Sequence, residues 1–175
     1  MNRVWALTLV LVLAVAACRG SGAATSTTSV ATSPSTTVVV TTAPEIEQFA
    51  FVRAIDESEV RFDPATMLTG DEAVAAARAD GVLAEGEDLP NDYYISNPDT
   101  EETVAALDPN GEYSLIGFSS PGGELVNRQM SLDDLVAVLN GANPELFYGI
   151  IPGDVPMILT LSGETVVAAH QQYLP

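Results

Sequence analysis

Cys18 is the only cysteine in the chain, and it closes an apolar run of fourteen residues, Val4 to Ala17, in which Thr8 is the one hydroxyl. Everything beyond it must fold without an intrachain disulfide, by packing alone. As a helix the run would measure about 21 Å at 1.5 Å per residue. That is short of the roughly 17 to 25 residues that cross a bilayer core. With Arg3 as a positive start and small residues at its end, residues 1–17 read as a secretory signal peptide.

The run ends Val15-Ala16-Ala17-Cys18, and in this it resembles a bacterial lipoprotein signal. The resemblance implies a diacylglyceryl group on the Cys18 thiol and cleavage between Ala17 and Cys18. Each buried acyl methylene contributes about 0.8 kcal/mol, and stable anchoring takes more than one chain, which a diacylglyceryl group supplies. The expectation is a protein held by lipid on the extracytoplasmic face of the cell membrane, anchored rather than spanning. The competing reading is an ordinary signal peptide in which Cys18 is incidental.

Residues 18–44 are expected to be a tether. Thirteen of the 26 residues from Arg19 to Pro44 are Ser or Thr, with Pro34 and Pro44 among them. Such a stretch buries too little apolar area to offset the entropy of ordering it. As a flexible coil it would span roughly 25 to 30 Å. Ser/Thr-rich stalks with proline also have the composition of O-glycosylated segments.

From Glu45 the composition changes. All 24 acidic residues lie in residues 45–175, against four arginines there and no lysine anywhere, so this part carries a net charge near −20. Such a field repels phosphate backbones and anionic surfaces and argues against nucleic-acid binding. A single globular domain over 45–175 is expected, large enough to bury about two-thirds of its unfolded surface.

Gln48–Ile55 reads as a strand, Asp56-Glu57-Ser58 as a turn, and Glu59–Asp63 as a second strand with Val60 and Phe62 inward. Thr69 and Glu72 make a capping box for a helix that stops at Gly81. Tyr93–Ser96 is a short strand. Thr103–Leu107 and Tyr113–Phe118 read as a hairpin around Asp108-Pro109-Asn110-Gly111. Ser131 caps a second helix in which Leu132, Leu135, Val136 and Leu139 recur at helical spacing up to Asn140-Gly141. Phe147–Ile151, Met157–Leu161 and Thr165–Gln171 are the closing strands. The order lacks a repeated βαβ crossover, so the fold class is α+β: a small, curved, mainly antiparallel β-barrel of OB-like kind with two helices. A two-sheet β-sandwich with helices is the alternative.

The chemistry-bearing residues are sparse. His170 is the only histidine and is expected to share a strand face with Val166 and Ala168. Without a second histidine or a free cysteine, a zinc site of the usual kind is excluded and no metal or cofactor is expected. Ser119 and Ser120 sit in a Gly/Pro loop without the Gly-x-Ser-x-Gly elbow. Asp108, Asn110 and Glu112 alternate as calcium ligands do, but lack the rest of an EF-hand loop, and a turn explains them equally. Carboxylate pairs suited to glycoside hydrolysis are inevitable among 24 acids and carry little weight alone.

Three phrases, Phe62-Asp63-Pro64 through Thr69-Gly70-Asp71-Glu72-Ala73, Leu89-Pro90-Asn91-Asp92-Tyr93-Tyr94-Ile95-Ser96-Asn97, and Gln172-Tyr173-Leu174-Pro175, are similar to a family of secreted or lipid-anchored bacterial domains. The resemblance covers residues 49–175 and implies one domain of unassigned function, with no catalytic residue to carry over. On the residues themselves, Asp92 and Asn97 bracket a strand that needs turns at both ends. The functional alternative is a polar cleft formed by Asn91, Asp92, Tyr94 and Asn97. The expected function is a non-enzymatic binding or accessory module of the cell envelope, with its protein or wall partner unspecified. A small carboxylate hydrolase acting on wall polysaccharide, and a structural or inhibitory envelope protein, are the alternatives.

Overall fold

The structure is a computed structural model that describes residues 43–175. The signal segment, Cys18 and the tether up to residue 42 lie outside the described residues.

Strand β1 (Glu45–Ile55) pairs antiparallel with β2 (Glu59–Pro64) on one side and β7 (Val155–Ser162) on the other. Together with β5 (Thr103–Phe118), β6 (Leu125–Met130) and β8 (Thr165–Gln171) they form a six-stranded sheet in the order β2-β1-β7-β8-β5-β6. β5 and β8 run parallel, so the sheet is mixed. β2 also pairs with β5, from Glu59↔Ala106 to Phe62↔Thr103, so the sheet curls back on itself. Between β2 and β5 the chain makes an excursion: β3 (Thr66–Thr69), α1 (Gly70–Ala79) and β4 (Tyr93–Ser96), with β3 and β4 paired to each other. The fold is α+β, with strands predominant.

The core lies inside the curl. Alternate residues of each strand fill it: Val60 and Phe62 from β2, Val155, Met157 and Leu159 from β7, Tyr113 and Leu115 from β5. Helix α2 (Leu132–Leu139) packs against β5 and β1 and adds Leu132, Leu135, Val138 and Leu139 to the same cluster. Its start is as the spacing predicts, because Ser131 Oγ accepts from Asp134 N at 3.2 Å and donates to Asp134 Oδ2 at 2.8 Å. Such a cap contributes about 1 kcal/mol.

Helix α1 starts differently. Thr69 stands at the cap position, yet its side chain makes no capping bond. It is the last residue of β3, paired with Tyr93, and Gly70 follows at φ +56°, which swings the chain before the first turn. A side chain there would be strained. The helix ends as expected, with Gly81 at φ +72° and Val82 N donating to Ala77 O at 2.9 Å.

The expected hairpin at Asp108–Gly111 is absent. Thr103–Phe118 is one strand whose ladder with β8 steps from Leu107↔Val166 to Glu112↔Ala168, so residues 108–111 bulge out opposite Val167 alone. Pro109 lacks an N–H to give to a ladder, and a bulge is where a strand tolerates that. Asp108 Oδ1 accepts from Asn110 N at 2.8 Å and Tyr113 Oη donates to Asp108 O at 2.6 Å, holding the bulge over the strand. Gly111 is required by space: a Cβ would stand 2.6 Å from Tyr113 Oη and 2.7 Å from Val167 O.

One more expectation is corrected. Phe147–Ile151 is not a strand; a 3-10 turn at Pro144–Leu146 leads to a single bridge, Gly117↔Phe147. The second half of β5 takes its partner from β6, a strand ahead of α2 that the sequence pattern does not announce.

Candidate functional site

The largest depression described, about 640 Å³, lies on the outer face of β1, β7, β8 and β5. Its floor follows from register. Glu47 pairs with Thr160, Thr160 with Ala168, and Ala168 with Glu112, which sets these four side by side across the sheet. Glu45 extends the row by period two, and the bulge brings Asp108 and Asn110 over the edge. Four carboxylates therefore share one concave surface with His170, and no arginine lines it.

His170 reaches this face through a bulge. The β7–β8 ladder steps from Leu161↔Val166 to Thr160↔Ala168, leaving Val167 extra. Val166 consequently stays in the core while Ala168 and His170 point outward, which corrects the expectation that all three share a face. His170 Nδ1 lies 2.8 Å from Ser114 Oγ. Ser114 is 1 % exposed, so this pair ties β8 to β5 beneath the surface and offers no accessible nucleophile.

The four residues of the proposed polar cleft do not come together. Asn91 and Asp92 line a shallow depression of about 430 Å³ with Met67, Thr69, Tyr93 and Pro175. Tyr94 points to the end of α1, where its hydroxyl donates to Asp80 Oδ2 at 2.9 Å; this bond, before burial, raises its pKa above the usual phenol value. Asn97 turns to the main sheet, its Nδ2 donating to Asp63 Oδ2 at 3.1 Å.

Among the described residues, Asp63 is the buried carboxylate, 2 % exposed, and a charged cluster forms around it. Arg53 Nη2 donates to its Oδ2 at 2.8 Å, and Arg53 Nη1 reaches Asp154 Oδ1 at 2.5 Å and Gly153 O at 3.2 Å. Arg53 is the extra residue of a bulge, since Val52 pairs with Phe62 and Ala54 with Arg61. A bulge of this kind re-aims a side chain. Asp63 holds the guanidinium above its ordinary pKa, with Asp154 adding to the effect. Through Asn97 the cluster clamps the end of the β3–α1–β4 excursion to the main sheet.

Among the described residues, no three side chains of His, Cys, Asp or Glu are placed to hold a metal ion. None of the described helices is long and apolar enough to cross a membrane. The convergence of Glu45, Glu47, Asp108 and Glu112 escaped sequence reasoning. The alternation Glu45-x-Glu47 put two of them on one face, but the pairing of β1 with β7 and of β8 with β5 is not written in any local pattern. Comparison with protein-family models, with curated proteins and with solved structures finds no match to the chain.

Proposed function

We propose that the chain is an envelope lipoprotein whose diacylated Cys18 holds residues 45–175 outside the cell, as a single non-enzymatic binding module. The Val15-Ala16-Ala17-Cys18 ending supports the anchor, and the resemblance of residues 49–175 to secreted and lipid-anchored domains supports the setting. We read the curled sheet as a small OB-like barrel. The β2–β5 pairing and the parallel β5–β8 pair support that reading, with α2 at one end.

The observation that carries the binding role is the depression lined by Glu45, Glu47, Asp108 and Glu112 without a basic residue. Its ligand is cationic, because a surface of one sign concentrates the opposite charge and speeds its arrival. The hydrolase alternative is less well supported. The same carboxylates face solvent on an open sheet, and no aromatic side chain lines the depression to hold a sugar ring. The structural or inhibitory reading has one point in its favour: Leu125 and Val126 lie exposed on β6, the outermost strand.

The test is a pull-down from membranes with the natural tethered protein, its Cys18→Ser form and a Glu47→Gln/Glu112→Gln form. The reading predicts a partner with a basic surface, retained at low salt, lost in the double variant, and depleted when Cys18 is replaced. Equal recovery with all three forms would refute it.

A further inference from the structure

A second depression, of about 380 Å³, opens between β6, α2 and the Pro144–Leu146 turn. Its lining is mixed: Met130, Val138, Leu146 and Phe147 supply apolar surface, Gln129, Asp134 and Asn143 polar edges, and Arg128 stands in it. Of the other three arginines among the described residues, Arg53 pairs with Asp63 and Asp154 and Arg61 with Glu102, while Arg78 lies exposed and donates to the Glu87 carbonyl. Arg128 has no carboxylate within 4 Å, in a region with 24 of them.

The arginine is nonetheless built in. Its stem crosses Gly117, where a Cβ would stand 2.6 Å from Arg128 Cδ and 2.7 Å from Nε, so a larger residue would push the stem aside. Nη2 donates to Phe118 O, and the guanidinium carbon sits 5.9 Å from the centre of the Phe147 ring. Nε is buried with no acceptor. Asp134 on the opposite wall is engaged by Ser131 and lies beyond ion-pair reach. With Nε buried and one Nη2 bond to a carbonyl, the remaining terminal N–H groups are left for an anion. A half-buried guanidinium that is positioned by packing and lacks a counter-charge is an incomplete ion pair.

We propose that this depression binds a small amphiphilic carboxylate, with the anion on Arg128 and the apolar body against Phe147, Leu146 and Met130. The planar fork of arginine matches a carboxylate in two bonds. The net charge near −20 disfavours multiply charged anions, and Met130, Leu146 and Phe147 offer an apolar body a surface to cover. The site is separate from the acidic depression on the opposite part of the sheet and stands or falls independently of it.

The probe is octanoate, added to the intact chain and followed by NMR at the Arg128 Nε–H, the Met130 methyl and the Phe147 ring. Acetate supplies the anion without the body, and octylammonium the body with the wrong charge. The proposal predicts saturable shifts at all three groups with octanoate and none with the other two. Arg128→Gln is predicted to weaken octanoate at least tenfold. Should that variant fail to fold, the Arg128 guanidinium signals of the unaltered protein still decide, because they must shift saturably with octanoate and not with octylammonium. Tighter binding of octylammonium, or octanoate shifts that leave Arg128 untouched, would overturn the assignment.

Discussion

Arg53 and Arg128 begin alike and end in opposite situations. Each stacks over a phenylalanine, Arg53 at 5.3 Å from the Phe51 ring centre and Arg128 at 5.9 Å from that of Phe147. Arg53 then meets a buried carboxylate and an exposed one. Arg128 meets a backbone carbonyl and nothing charged. The difference shows how one residue type serves as a clamp where its partner is supplied by the chain, and as an open receptor where the partner is left out. Sheet register decides which: Arg53 is turned by a bulge toward Asp63, whereas Arg128 follows the regular β5–β6 ladder opposite Leu115.

The sharpest way to break the comparison is Arg53→Met. It strands Asp63, 2 % exposed, with only Asn97 as a side-chain donor, and should cost about 3 to 5 kcal/mol in urea unfolding at neutral pH. Asp154→Ala is the control. That carboxylate is 53 % exposed, and its loss should cost about 1 kcal/mol or less. If the two variants were equally damaging, the clamp would not centre on Asp63.

Gly117→Ala comes next, with an expected loss of about 1 to 3 kcal/mol from overpacking against Arg128 and the Leu146 carbonyl at 3.0 Å. Combining it with Arg128→Ala should return part of that loss, because the flexible stem is the nearest obstruction. Arg128→Met by itself should change stability by about 1 kcal/mol or less, since it leaves no buried anion behind. A loss as large as that of Arg53→Met would mean that Arg128 is a second clamp.

Alkaline titration separates the arginines from the core. Burial, with a smaller contribution from Asp108, pushes the Tyr113 phenol up to about 12. A raised folded pKa means that its contribution is intact below about pH 10, the usual tyrosine value, and is lost as pH rises from there through about 12. Tyr113→Phe should remove that loss of stability, measured by denaturant midpoint across the same range. The smallest effect belongs to Asp56, whose carboxylate accepts from Ser58 N and Oγ and from Glu59 N in the β1–β2 turn. The Ser58 amide above all lowers its pKa below 3.8, so its stabilisation is present above that value and disappears as pH falls below it. Asp56→Asn should flatten only the acid limb.

What the sequence disclosed was local. Ser131 with Asp134 announced α2, and the spacing of Leu132, Leu135 and Leu139 announced the face it buries. Val60 and Phe62 pointed inward as their alternation required. Thr69 with Glu72 carried the same capping signal as Ser131 and did not use it, because Thr69 was already committed to β3. Asp108-Pro109-Asn110-Gly111 reads as a turn in any local table, and becomes a bulge only because β8 pairs on both sides of it. Of the residues expected to form a polar cleft, Tyr94 bonds to Asp80 at the end of α1 and Asn97 to Asp63 of β2, pairings that no local pattern announces. The arginine pair was invisible in sequence: nothing near Arg53 or Arg128 says that one has Asp63 across a strand and the other has no carboxylate within ion-pair reach.

The most direct test of the whole account is the intact mass of the mature natural protein extracted from bacterial membranes. The account predicts a chain beginning at Cys18 and heavier than the polypeptide by a diacylglyceryl group, with Cys18→Ser abolishing both the added mass and membrane retention. A mature chain with a free Cys18 thiol, or one released into the medium without acyl groups, would contradict it.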